Sequence, residues 1–169
     1  MAVLKRGKTA TSGLVQTAAV RYHPPMATLA LVHALLDREH TLAVATVDEH
    51  GAPWACNLYF ARLPPPGLTL VVLTDPSSAH VRHWADGAAV ALTVFAHPDT
   101  PRSAVSGVQM RGVVDGGDPV AAERFLARFP GSEEVASRQR FYRIKVGWIR
   151  LLDRSSGTLV EIDPASPEA

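Results

Sequence analysis

The stretch Leu70–Trp84, reading LVVLTDPSSAHVRHW, carries a dense set of side chains that can do chemistry. An apolar run ends at Thr74, and Asp75, Pro76, Ser77 and Ser78 then open a helix expected over 77–85, closed by Asp86 and Gly87. Hydroxyls at a helix start, beside free backbone N–H groups, suit an anion. His80, Arg82 and His83 add positive charge just downstream. Together these residues read as a phosphate cradle beyond the end of a strand. The plainer alternative is that Asp75 or Ser77 only caps the helix. Neither a Walker-type glycine loop nor a GxGxxG fingerprint is present, which disfavours triphosphate and Rossmann-type sites.

Other reactive groups carry less. His80 and His83 have the spacing of a metal pair on a helix, but no nearby acid or cysteine completes a ligand set. Cys56 has no histidine close in sequence to activate it and reads as a buried thiol. Trp54, Trp84 and Trp148 read as core or interface residues. Tyr59 and His80 are the two side chains worth testing as proton donors, and no catalytic residue is assigned.

These groups need a scaffold. Leu29, Val32, Leu35 and Leu36 fall at helical spacing over 27–39, with Pro25 suited to an early helical position. β-rich runs follow. Residues 41–47 and 54–63 form a hairpin around Asp48–Gly51, where Gly51 supplies a positive φ. Residues 68–74 form an almost wholly apolar strand, expected to be buried on both faces. Strands at 88–96 and 108–114 come next, then a helix over 119–129 and a short helical stretch over 132–138. In the last strand, 141–152, Tyr142, Ile144, Val146 and Trp148 alternate with Arg143, Lys145, Gly147 and Ile149. Such an order predicts a mainly β (α+β) fold, a six-stranded antiparallel split β-barrel with flanking helices, rather than a doubly wound parallel sheet.

A chain of 169 residues is one domain by default. Residues 1–24 read as a flexible basic arm, with Lys5, Arg6, Lys8 and Arg21 and no acid, and leave Met26 open as an alternative start. The barrel is expected over 25–160 and a tail over 161–169. A net charge of +1 without a basic stripe argues against nucleic acid. No apolar run approaches the ~20 residues of a membrane helix. A lone cysteine excludes an internal disulfide and fits a cytoplasmic location.

Three stretches, in this order, resemble the FMN-binding split barrels related to pyridoxamine 5′-phosphate oxidase, closest to a bacterial branch of that family. Trp54–Phe60 (WACNLYF) is similar to the second strand, whose edge runs beside the isoalloxazine ring. Residues 73–84 (LTDPSSAHVRHW) resemble the segment that holds the FMN phosphate, and Ser106–Gly112 (SGVQMRG) resembles the fifth-strand signature. The resemblance implies that Asn57, Leu58 and Tyr59 face the flavin, partly through backbone groups. It puts Leu73 and Thr74 near the phosphate or ribityl chain, with Ser77, Ser78 and His80 around the phosphate. It has Gln109 reach the ring from a partner subunit, and so implies a homodimer.

The chain also departs from the family. Cys56 and Ala61 stand on the second strand where the oxidase carries Arg and Lys, and Ala79 stands in place of the Arg of its Ser-Arg-Lys run. Gly107, not Gln109, aligns with its flavin-contacting Gln. The substrate-binding Arg-x-His is replaced by the run Arg150–Arg154, which argues against vitamin B6 oxidation itself. The resemblance therefore implies a flavin-dependent oxidoreductase of unidentified small-molecule substrate. The same fold also serves FAD, haem and deazaflavin F420, and it can act as a carrier without catalysis.

Overall fold

The computed structural model describes residues 25–84, 87–96, 106–153 and 158–164. The expected basic arm, residues 1–24, lies outside them. Helix α1 spans Pro25–Arg38 and lays Val32, Leu35 and Leu36 onto the main core. Its C-terminal carbonyls are gathered by one side chain, since Arg128 Nη2 donates to the backbone oxygens of Leu36, Asp37 and Glu39.

The hairpin forms as its spacing predicts. β1 (Thr41–Val47) pairs antiparallel with β2 (Pro53–Arg62). In the turn, Asp48 Oδ1 accepts from His50 N at 2.9 Å and Ala52 N at 2.8 Å, and Gly51 has φ +81°. β3 (Leu68–Thr74) is covered on both faces, as its apolar run requires. Leu68, Leu70 and Val72 point into the barrel, while Val71 and Leu73 meet Ala121 and Phe125 of α3 (Pro119–Arg128). Asp118 caps α3 by accepting from Ala121 N, with Pro119 in its first turn.

Between β3 and β4 (Ala89–Ala96) lies α2, Ala79–Arg82. It is a single turn, not the helix expected over 77–85. Bonds from His83 N to His80 O and Trp84 N to Val81 O tighten its end, and Trp84 turns into the core against His80 and Tyr142. β5 (Ser106–Gly116), α3, a second short helix α4 (Glu133–Ala136) and β6 (Arg140–Asp153) complete the expected order. The sheet runs β3-β2-β1-β4-β5-β6, and β3 also pairs with β6, so these strands close a six-stranded antiparallel barrel.

Two features of the last strand were not legible in its alternation. β6 pairs with β3 over residues 140–146, then with an unforeseen strand, β7 (Thr158–Ile162), over 149–153. β7 crosses the expected barrel boundary at residue 160 and brings Ile162 into the core. The changeover coincides with a bulge. Arg111 faces Trp148 and Gly112 faces Val146, so Gly147 is an extra residue on β6. Side-chain parity inverts there. Tyr142, Ile144 and Val146 point inward, but the next inward residues are Ile149 and Leu151, both buried, and Trp148 lies outside. A Cβ on Gly112 would stand 2.5 Å from Lys145 O, so only glycine permits this close approach.

Candidate functional site

β2 is paired on one side only for most of its length. Phe60 N donates to His40 O, and Asp48 N donates to Ala52 O. The alternation of an antiparallel ladder therefore turns the backbone groups of residues 54, 56, 58 and 60 toward β1. Those of Ala55, Asn57, Tyr59 and Ala61 turn the other way. β3 meets β2 only at its end, around Phe60–Arg62, so among the described residues Ala55 and Asn57 find no strand partner on that side. The result is a short open edge of N–H donors and C=O acceptors.

A cavity of about 570 Å³ lies along this edge, within the size range of small-molecule sites. Asn57, Leu58 and Tyr59 of β2 and Leu73 and Thr74 of β3 form one side. Phe125 and Phe129 from α3 and its C-terminus, Ser132 and Val135 around α4, and Gln139 form the other. Five residues singled out in the sequence thus meet here. The Tyr59 ring stands edge-on to Phe129 at 5.5 Å, and Phe125 packs on Phe129 at 4.8 Å.

The remaining predicted residues are placed elsewhere. Ser77 spends both its N–H and its hydroxyl on Asp75 Oδ1, each at 2.7 Å, which puts a carboxylate where the phosphate was expected. Those same bonds hold the Asp75 carboxyl below its ordinary range. Ser78 starts α2 but makes no side-chain cap, and a one-turn helix has little dipole to offer an anion. His80 does not reach outward. It is buried, with Nε2 2.9 Å from Thr74 Oγ1, and burial, then the neighbouring His83, pushes its pKa down. His83 Nδ1 lies 3.1 Å from Thr46 Oγ1, so the two imidazoles serve different hydroxyls. Among the described residues no three His, Cys, Asp or Glu side chains gather to hold a metal. The Cys56 thiol is half-buried, and burial raises its pKa. Gln109 is exposed on the outer face of β5, opposite Thr93 and Arg150, and does not line this cavity within one chain.

Sequence reasoning missed the α3–α4 wall, and it missed Arg140. Arg140 is the register partner of Thr74 at the start of β6 and is exposed beside Gln139. Trp148, read as a core or interface residue, lies outside the barrel between two guanidiniums, Arg111 at 4.2 Å and Arg150 at 5.3 Å from its ring. The cavity lining contains no charged side chain. Its donor set fits the flat, uncharged ring of a flavin, with backbone groups at the ring edge and Thr74 and Asn57 as polar contacts. A phosphate finds no cation in that lining, and Arg140 is the guanidinium next to Thr74.

No protein of curated function matches the sequence. Among solved structures, a protein from Clostridium acetobutylicum related to general stress protein 26 of B. subtilis, of the pyridoxinephosphate oxidase family, aligns with TM-score 0.60 at 12% identity, over 81% of this chain and 94% of its own. An FAD-binding protein from Mycobacterium smegmatis aligns with TM-score 0.58 at 14% identity, over 72% of this chain and 90% of its own. A heme-binding protein from the same organism aligns with TM-score 0.61 at 18% identity, over 78% of this chain but only 58% of its own. At these identities the likeness is one of fold. The family profile described as Pyridoxamine 5'-phosphate oxidase matches residues 29–153, most of the barrel. By that match, and with the closed barrel around it, the chain belongs to the pyridoxamine 5′-phosphate oxidase family.

Proposed function

We propose that this protein binds FMN along the open edge of β2 and works as a flavin-dependent oxidoreductase, with the site completed by a second copy of the chain. The observation that carries the reading is the unpaired backbone of Ala55 and Asn57 beside an uncharged, aromatic-floored cavity. Edge amides of this kind hydrogen-bond the polar rim of a heteroaromatic ring and cost little to preorganise. Bound there, the flavin supplies hydride or electron transfer at its N5 atom. Thr74 offers a hydroxyl held in place by His80. Arg140 supplies the charge for the phosphate, in place of the Ser77–Ser78 cradle. Tyr59 is the one lining side chain able to donate a proton, since His80 lies behind Thr74.

The second copy is favoured by the outer sheet face. Ala45, Ala55 and Ala91 are exposed there in adjacent register, and Phe95, further along β4, is 44% exposed. A flat, small-residue surface of this kind suits close approach of an identical sheet, and it carries Gln109. Haem is the weaker reading, because no histidine lines the cavity to serve as axial ligand.

The test is an absorbance spectrum of the purified protein before and after FMN addition, followed by gel filtration. Flavin bands that co-elute at twice the monomer mass, bleach with dithionite and return in air support the proposal. A colourless protein that ignores FMN refutes it, and a Soret band would replace it with haem.

A further inference from the structure

We infer that the α3–α4 side of this cavity selects an uncharged, planar aromatic molecule and rejects phosphorylated or otherwise anionic ones. This names the substrate class for the site and rests on reading the cavity as the cofactor site. The wall facing the β2 edge is built from Phe125, Phe129 and Val135. Tyr59, meeting Phe129 at 70°, adds a ring that offers both an edge and a face to a flat guest. Its polar groups, Ser132 and Gln139, are neutral. Ser132 Oγ donates to Phe129 O at 2.7 Å, which spends its proton and leaves the oxygen as an acceptor.

The arginines that surround this wall are committed elsewhere. Arg124 Nε donates to Arg62 O, and Arg128 gathers the carbonyls at the end of α1. Arg138 pairs with Glu134, and Arg143 bridges Asp115 and Asp118. Arg140 stands at the Thr74 end, beyond Gln139, where the cofactor phosphate is assigned. An anion against Phe125 and Phe129 would lose hydration and find no cation in the lining to bond it, which is costly. Arg128, 5.8 Å from the Phe129 ring, lies outside the lining and turns its Nη2 to carbonyls. A neutral ring loses almost nothing there and buries apolar surface.

The experiment uses two fluorescent probes of matched shape, 2-naphthol and naphthalene-2-sulfonate, titrated into the purified protein with and without FMN. The expected result is that 2-naphthol binds at least about tenfold more tightly than the sulfonate. Val135 is 52% exposed at the cavity rim, so Val135→Lys tolerates the change in the fold. It should raise sulfonate affinity relative to 2-naphthol about two- to fivefold, by the added charge at the rim. Equal affinity for the two probes, preference for the sulfonate, binding of neither, or no response to Val135→Lys overturns the inference. Loss of FMN binding alone would sink the cofactor reading, while a neutral-probe preference in that same sample still supports the selectivity of the wall.

Discussion

Thr74→Val keeps the outline of the side chain and deletes one oxygen. In the native chain that oxygen lies 2.9 Å from His80 Nε2, and the two residues are only 5% and 7% exposed. The substitution leaves a buried imidazole nitrogen without its partner, which costs about 1–3 kcal/mol. For a chain of 169 residues, each kcal/mol moves Tm by about 2–4 °C. The expected drop is therefore about 2–12 °C, read by circular dichroism. The pair also has a pH signature. Burial and then His83 hold the His80 pKa below its ordinary value, so the unfolded chain takes up this proton first, near pH 6.5. Its contribution is complete above about pH 6.5 and is lost as pH falls through the lowered folded value. His80→Gln should flatten that acid-side slope. Because Thr74 also lines the cavity, Thr74→Val should weaken FMN binding, whereas Thr74→Ser should restore both stability and binding. An unchanged Tm in Thr74→Val, or an acid slope in His80→Gln as steep as in the native chain, would refute the reasoning; His33 and the paired carboxylates keep the remainder of that slope.

Arg140→Ala should weaken FMN about 10- to 150-fold, the loss of one charge-assisted contact, while riboflavin, which lacks the phosphate, binds as before. Equal losses in fluorescence titrations of the two flavins would remove Arg140 from the phosphate. Gly112→Ala forces a Cβ against Lys145 O and the Ile144 side chain, and should cost about 1–3 kcal/mol in urea unfolding with flavin stoichiometry retained in the folded fraction. A neutral result would mean that β5 and β6 have room to separate at the bulge.

Local signals in the sequence were strong where one side chain decides one turn or one face. Asp48 and Gly51 dictate the β1–β2 turn, and the apolar run Leu68–Leu73 reports its own double burial. The half of the cavity formed by β2 and β3 was legible because the family resemblance lies on those contiguous segments. The opposite wall was hidden for a physical reason. Phe129 meets Tyr59, and Arg140 meets Thr74, only through closure of the barrel, which no local period encodes. His80 was misplaced because its charge was read without its burial. α2 was overestimated because a helix start says nothing of the core contact made by Trp84, which ends it.

The bulge at Gly147 behaves as a phase marker within one strand. Upstream of it, β6 is in step with β3, and downstream it is in step with β7. Drawing that single residue into the regular ladder would act on the molecule as a frameshift acts on a message. Everything through Val146 would read as before, while Trp148 and Arg150 would be sent inward and Ile149 and Leu151 outward. The Arg111–Trp148–Arg150 stack would vanish from the exterior at the same stroke. Deleting Gly147, by contrast, would leave Trp148 following Val146 in unbroken alternation, with each residue of β6 still on its present face.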